Sequence, residues 1–254
     1  MMSSLISFLL KFFLHRTRLL LNLFILLLGF FHMVLAQTER VQNRPYADYK
    51  FFHWGFHVGL HTQDLVIDNT GHLFPDAPEG VSLMYASVPS YLPGFSVGVL
   101  MDYSPILNWN FRVTPTLHFG ENKVAFSDVS NSRLETYSIR RNLVELPFLI
   151  KYSSVRFNNT RPYVIAGPYA SFQIGQSLNS LLFFRPMDAG LAVGVGCDIY
   201  LPYFKLSPEL RLSYGFANVL KQNRPEFADD NRRFYSQLIS RMQSRMILLT
   251  FNFE

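Results

Sequence analysis

The chain has 254 residues, of which 49% are hydrophobic and 16% aromatic, and its formal net charge is +5. Its single cysteine, Cys197, excludes an intramolecular disulfide scaffold. No run rich in Lys and Arg occurs after the first segment, so the chain lacks the electrostatic footprint of a nucleic-acid-binding protein.

The first segment has the organisation of an export signal. Lys11, Arg16 and Arg18 are followed by an apolar run from Leu19 to Ala36, and this segment contains no acidic residue. We therefore predict a helical signal peptide over residues 1–36. An uncleaved anchor is the alternative, because a run of this length nearly spans a bilayer. Cleavage would remove three basic side chains and no acidic one, which lowers the net charge from +5 to +2.

The first predicted strand is Phe52 to Thr62. Bulky apolar residues occupy its even positions as far as Leu60, and its odd positions hold only His and Gly. This period of two indicates a β-strand with one apolar side. Such a side faces the core of a soluble sheet, whereas it faces lipid in an outer-membrane barrel whose polar side fills the lumen.

Seven further segments are predicted as strands from similar alternation. They are Phe95–Tyr103, Asn108–Phe119, Asn142–Tyr152, Arg161–Phe172, Asp188–Tyr200, Phe204–Phe216 and Arg245–Glu254. The alternation in Arg161–Phe172 does not settle which of its sides faces outward.

Long and short connections alternate between the eight segments. An outer-membrane barrel has tight periplasmic turns and long outer loops, whereas a soluble sandwich has no reason to favour one rim. We therefore predict an all-β fold, an eight-stranded antiparallel up-and-down transmembrane β-barrel, over residues 51–254. Residues 37–50 are the predicted periplasmic N-terminal segment. The even number of strands places both mature termini in the periplasm.

Charged residues share the small or polar side of the predicted strands. They are Arg112, Glu145, Lys151, Asp198, Lys205, Glu209 and Arg211. Buried charges must be paired, so we expect a lumen charge network together with inward-facing His53, His57 and His61. Eight strands enclose an interior just wide enough for side chains, which argues against an open diffusion pore.

The sequence predicts no catalytic, cofactor or metal site. Residues four apart on a strand are separated by ~13 Å, which is too far for neighbouring histidines of this row to share a metal ion. A lipid-modifying enzyme with a Ser/His pair, using His118 or His72, remains the alternative. Nothing in the sequence ties a Ser, a His and a carboxylate together, so we expect a protein that is not an enzyme.

Six stretches are spread along nearly the whole mature chain: Val41–Asp64, Pro93–Tyr103, Phe111–Phe126, Leu143–Tyr169, Pro208–Leu220 and the terminal FNFE. They resemble the PorT-type outer-membrane barrels of the Bacteroidota. Glu145, Pro147 and Lys151 form a pattern shared with many barrels of that phylum, whereas SSVRFNNTRPY from Ser153 to Tyr163 is more particular to PorT-type proteins.

The resemblance implies a role in the type IX secretion system. This system moves folded cargo with a C-terminal sorting domain across the outer membrane and serves gliding motility in some species. PorT-type proteins resemble its accessory or assembly factors, which implies contacts with outer-membrane lipid and other secretion components, and no small-molecule substrate. The alternative is a free-standing small barrel that acts as an adhesin or membrane stabiliser through its long loops.

The turn from Ser153 to Thr160 is longer than closing a hairpin requires. It carries Arg156, Asn158 and Asn159, and Arg161 follows it. A solvated turn with asparagines chosen for backbone reasons is one interpretation. The resemblance favours the other, in which these four residues are a candidate docking site for another secretion component.

Overall fold

The computed structural model describes residues 42–71, 73–74, 82–128, 133–175, 182–221 and 238–254. Residues Asn43–Glu254 form one compact unit. The predicted signal peptide and residues 37–41 of the predicted N-terminal segment lie outside the described residues. No helix in the described ranges is long and apolar enough to cross a bilayer.

Eleven strands follow a short 3-10 turn at Ala47–Tyr49 in the described part of the chain. They are β1 Phe52–Asn69, β2 Leu73–Phe74, β3 Ser82–Ser87, β4 Pro93–Ile106, β5 Trp109–Val113, β6 Thr116–Asp128, β7 Arg133–Ser153, β8 Thr160–Ile174, β9 Met187–Tyr200, β10 Lys205–Gly215 and β11 Ile239–Phe253.

The strands close into a ring through antiparallel pairing. β1 pairs with both β11 and β4, and β5 to β10 connect β4 with β11 around the ring. β5 and β6 both pair with β4 on one side and β7 on the other, so they are two parts of one barrel strand interrupted at Thr114 and Pro115. In the described ranges the ring therefore has eight strands, which confirms the predicted fold class.

The two ends of the barrel differ in their connections. At one end β1 begins, β11 ends, and the β4–β5, β7–β8 and β9–β10 turns are short. We call this the proximal end and the opposite one the distal end. The β1–β4, β8–β9 and β10–β11 connections at the distal end are longer, whereas only residues 129–132 separate β6 from β7. Several strands extend further distally than predicted: β7 begins at Arg133 and β1 continues to Asn69. The hairpin of β2 and β3 was not predicted.

Apolar side chains cover the outer face of the ring. Exposed examples, one from each barrel strand, are Phe56, Val99, Phe111, Phe148, Val164, Val195, Leu212 and Leu249. A water-soluble protein does not leave a continuous apolar surface of this extent exposed, whereas a transmembrane barrel presents it to lipid. At the proximal margin the ring centroids of Trp109 and Tyr152 lie 4.8 Å apart, as in an aromatic girdle.

The polarity of the wall inverts along single strands. On β7, Ile150 and Phe148 face outward while Lys151 is buried inside the ring. Further toward the distal end the outward side chain is Arg140 and the buried inward one is Ile139. The distal part of the barrel therefore has the apolar interior and polar exterior of a soluble domain, which indicates that it projects beyond the bilayer.

An apolar core fills the distal part of the barrel. Its buried members are Leu65, Ala86, Val124, Phe126, Ile139, Leu182, Phe184, Val219, Leu220, Leu238, Ile239 and Met242. Two of the connecting segments fold into it, because Phe184 forms an antiparallel bridge with Leu220 and the N–H of Val219 donates to the carbonyl of Met242 at 2.9 Å. The described segments thus cover the distal mouth with apolar side chains.

The inversion predicts different responses to a charge placed at two outward positions of β7. Phe148→Lys places an ammonium near the middle of the lipid-facing belt and should lower the free energy of unfolding by about 2–4 kcal/mol. Thr136→Lys, on the exposed distal part, should leave it nearly unchanged. Urea titration of the protein in lipid vesicles measures both. Equal destabilisation by the two substitutions would contradict the position of the belt.

Candidate functional site

Charged side chains meet in the proximal half of the lumen, and we call this group the lumen network. It contains the seven predicted residues together with Asp102 and Glu254. None of these side chains exposes more than 6% of its surface. Each has an ion-pair contact within 4 Å, as buried charges require.

Arg112 is the hub of the lumen network. Its Nε and Nη2 donate to Asp102 Oδ2 at 3.1 and 2.6 Å. Its Nη1 donates to Glu209 Oε2 at 3.2 Å, and Nη2 also donates to Glu254 Oε1 at 3.0 Å. One fully buried guanidinium therefore joins β4, β5, β10 and the residue that follows β11.

Arg211 extends the lumen network toward the middle of the barrel. Its Nε and Nη2 donate to Glu209 Oε1 at 3.0 and 2.5 Å. Its Nη1 lies 3.8 Å from Glu145 Oε1, and Glu145 Oε2 lies 3.7 Å from His118 Nε2. Glu209 thus bridges the two buried arginines, while Glu145 forms only longer contacts.

The two lysines of the lumen network have separate carboxylate partners. Lys151 Nζ donates to Asp198 Oδ2 at 2.6 Å, and Ser207 Oγ donates to Asp198 Oδ1 at the same distance. Lys205 forms an ion pair with the side chain of Glu254. Because the contacts link five different strands, the network braces the barrel from inside.

Asp102 and Glu254 were not assigned to the network from sequence. Asp102 lies directly opposite Arg112 in the β4–β5 register. The short turn between the two predicted strands was a signal for this cross-strand pair, because residues at equal distances before and after a tight turn lie opposite each other. Glu254 ends the predicted strand Arg245–Glu254 and has the same parity as the buried Thr250 and Asn252, so the alternation was a signal for its inward direction.

A layer of histidines lies beside the lumen network. His57 Nε2 is 3.1 Å from Thr116 Oγ1, and both His61 Nδ1 and His118 Nδ1 contact Ser96 Oγ, at 2.8 and 3.1 Å. His57 and His61 are 2% exposed and His118 is fully buried, so these inward-facing histidines are hydrogen-bonded components of the filled interior.

The contacts run from Ser96 to His118 and on to Glu145, which is the spatial order of a nucleophile, a base and an orienting acid. Ser96 and His118 are fully buried, so a substrate carbonyl has no route to the hydroxyl in this arrangement. The other candidate histidine, His72, lies outside the described residues. In the described ranges, no group of three or more His, Cys, Asp or Glu is arranged to hold a metal ion.

A small cavity lies deeper in the lumen, among Arg141, Glu145, Tyr169 and Ser244. Its volume of about 20 Å³ is room for one water molecule. It therefore offers no binding space for an organic ligand.

A segment before β1 covers part of the proximal end, and we call Asn43–Tyr49 the strap. The backbone N–H of Asn43 donates to Asn159 Oδ1 at 2.7 Å, and its side-chain Nδ2 donates to the carbonyl of Tyr200 at 3.0 Å. At its other end the carbonyl of Ala47 lies 2.9 Å from His53 Nε2. The strap thus connects the start of β1 with the β7–β8 turn and the end of β9.

Arg161 is one of two arginines that hold the strap. Its Nη1 donates to Asp48 Oδ1 at 3.1 Å. The other nitrogens are held by the barrel: Nε donates to the carbonyl of Ser154 at 2.8 Å, and Nη2 donates to the carbonyl of Leu107 at 2.6 Å and to Asn108 Oδ1 at 3.1 Å. Arg161 therefore ties two proximal turns together before it reaches the strap.

Arg156 holds the strap from the β7–β8 turn. Its Nε donates to the carbonyl of Asn158 at 2.8 Å, and its guanidinium carbon lies 3.7 Å from the ring centroid of Tyr200. Its Nη1 lies 3.6 Å from Asp48 Oδ2, and Nη2 donates to the backbone carbonyl of Asn43. Asn158 has a φ of 51°, a left-handed conformation that Asn adopts more readily than most residues.

The structure brings the four predicted docking residues together, and the strap contacts Arg156, Asn159 and Arg161. The side chains of Arg156 and Arg161 are only 9% and 8% exposed. Contacts with the chain itself therefore account for the two arginines, and a partner could reach their guanidinium groups only if the strap moved. The strap was missed as their partner because Asp48 is 113 residues from Arg161 in sequence.

A comparison with protein families agrees with the barrel architecture. Residues 35–221 match the family model described as outer membrane protein beta-barrel domain. A comparison with curated proteins gave no match.

Solved structures similar to this chain include OprG of Pseudomonas aeruginosa, with 14% identity, a TM-score of 0.44 and coverage of 79% of this chain and 93% of that chain. Neisserial surface protein A shows 13% identity, a TM-score of 0.41 and coverage of 80% and 98%. The N-terminal β-barrel domain of OprF from Pseudomonas aeruginosa shows 12% identity, a TM-score of 0.34 and coverage of 78% and 96%.

The lumen network predicts a non-additive response at Lys151 and Asp198. Asp198→Ala should lower the free energy of unfolding by about 3–5 kcal/mol, because it leaves the buried ammonium without its ion-pair partner. The double variant Lys151→Met/Asp198→Ala should be clearly more stable than Asp198→Ala, since it removes both charges. Urea unfolding of all four members of the cycle measures the coupling, and strict additivity would contradict the pairing.

Proposed function

The chain belongs to the outer membrane protein β-barrel domain family, and we propose that it is an accessory or assembly component of the type IX secretion system. In this role it is needed for export of cargo proteins that carry the sorting domain, and for gliding motility in species that glide. It acts by binding other components and carries out no enzymatic reaction.

The filled lumen is the observation that carries this proposal. Arg112 and its carboxylate partners occupy the centre of the ring, and the surrounding side chains are buried. An interior of eight strands holds side chains and leaves no passage for a folded protein. The protein therefore supports transport by another component through its outer surfaces.

The type IX assignment is supported by the resemblance to PorT-type proteins. The stretch Ser153 to Tyr163, which is more particular to them than the Glu145–Lys151 pattern, forms the β7–β8 turn and the start of β8. In the structure this stretch supplies Arg156 and Arg161, which organise the proximal end. The stretch with the more particular resemblance thus also supplies the two arginines that hold the strap.

We propose that the proximal end faces the periplasm. Its turns are short, whereas three of the four distal connections are longer than any of them, which is the arrangement of outer-membrane barrels. With this orientation Asn43 and Glu254 both lie on the periplasmic side. The partners are outer-membrane lipid along the apolar belt and other secretion components at the rims, with no nucleic acid, cofactor or small-molecule substrate.

An adhesin or membrane stabiliser is the second candidate function. The distal apolar core favours it, because the segments around Phe184 and Leu220 are packed firmly and provide a platform for surface loops. The two candidates require different ends of the barrel. Secretion support through the periplasm depends on the proximal end, whereas adhesion depends on the distal end.

Deletion of the gene should abolish surface delivery of a reporter cargo that carries the sorting domain, and the wild-type gene should restore it. Replacing residues 222–237 with a short Gly/Ser linker should preserve delivery, since these residues belong to a distal connection. Surface protease accessibility of the cargo measures both outcomes. Normal delivery in the deletion strain, together with loss of cell adhesion, would replace the secretion role with the second candidate.

A further inference from the structure

The strap presents a single carboxylate to a site built by the barrel. Asp48 Oδ1 accepts from Arg161 Nη1 at 3.1 Å and also from the Tyr200 hydroxyl. Asp48 Oδ2 lies 3.6 Å from Arg156 Nη1. Two cations and a hydroxyl, from the β7–β8 turn, β8 and β9, thus converge on one acidic side chain.

The site has a framework that does not include the strap. The Nε and Nη2 of Arg161 are bound to Ser154, Leu107 and Asn108, all of which belong to the proximal turns. Arg156 is oriented by the carbonyl of Asn158 and by the ring of Tyr200. Because barrel groups orient both guanidinium groups, the site is preorganised to bind a carboxylate even without Asp48.

The strap itself is weakly packed. Ala47 is its only buried residue, while the side chains of Tyr46 and Tyr49 are 78% and 71% exposed. Arg44 has a φ of 50°, which is unfavourable for a residue with a Cβ. Hydrogen bonds and partly exposed ion pairs therefore provide most of its attachment. Such an element opens at a lower free energy than the strands of the ring.

We propose that Asp48 occupies, within the same chain, a carboxylate-binding site that accepts an acidic side chain of a partner peptide when the strap is released. The ligand class is a peptide that presents an Asp or Glu side chain, and its carboxylate replaces Asp48 between Arg156 and Arg161. The identity of that partner as a secretion component rests on the proposed function. The site itself is a property of the barrel.

The strap's own sequence supplies the probe for this site. A fluorescently labelled peptide NRPYADY, corresponding to Asn43–Tyr49, is titrated onto purified folded barrel, with NRPYAAY as the matched control peptide. In the Asp48→Ala protein the strap lacks its carboxylate, so NRPYADY should bind. It should bind wild-type protein roughly tenfold more weakly, because Asp48 competes for the site. NRPYAAY should bind neither protein.

A second set of variants tests whether the two arginines form the site. Adding Arg156→Ala and Arg161→Ala to the Asp48→Ala protein should abolish binding of NRPYADY, while the heat-modifiable shift on gels reports that the barrel is folded. The variant Asp48→Ala/Arg161→Gln keeps hydrogen-bond donors at position 161 but removes the charge. It replaces the triple alanine variant in the assay if that variant does not fold. Binding is expected to be lost in this variant also.

Equal binding of NRPYADY to wild-type and Asp48→Ala protein, or no binding to either, would overturn the proposal. The peptide assay does not depend on cargo export. Specific binding together with normal export in the deletion strain would reject only the secretion role. Abolished export together with absent binding by folded Asp48→Ala protein would reject only the carboxylate site.

Discussion

The narrow interior of an eight-stranded ring is the constraint on which the rest of this structure depends. The ring has no room for bulk water around its inward side chains, yet its outer wall needs apolar residues for lipid. The inward side chains are consequently small, polar or charged, and the charges must neutralise one another. Arg112 meets this requirement by binding Asp102, Glu209 and Glu254 at once. Removing one partner of such a pair would leave an unpaired ion in a low-dielectric interior, and this would destabilise the barrel even though the hydrogen bonds of the wall remain.

The two ends of the barrel are closed by different chemistry. At the proximal end the lumen network is followed by the strap, which is held by Arg156 and Arg161. At the distal end an apolar core fills the interior, and the wall there is polar outside. This difference follows from the surroundings, because only the part of the ring within the bilayer needs an apolar exterior. The proposed transport role therefore requires contacts at the outer surfaces of the barrel. The weakly packed strap is the part of the proximal surface that can change conformation most easily.

Much of the ring was predictable from sequence, because a period of two assigns each residue to one side of the wall. The seven predicted charges all face the lumen, whereas outward positions such as Phe148 and Val195 are apolar. The reason is that a charged side chain facing lipid destabilises the barrel. The distal parts of β1 and β7 were missed because the apolar residues there change sides, so a search for an apolar outer face ends too early. The strap was missed for another reason: its contacts depend on individual hydrogen bonds between distant residues, such as Asp48 and Arg161, which leave no periodic signal.

Electrical conductance tests the filled interior most directly. Purified protein whose heat-modifiable shift shows a folded barrel is inserted into a planar lipid bilayer, and the current is recorded under an applied potential. Because side chains occupy the described lumen from the strap to the distal core, insertion should leave the conductance at the level of the protein-free bilayer. Reproducible stepwise openings from the wild-type protein would show a continuous aqueous path and would contradict the account.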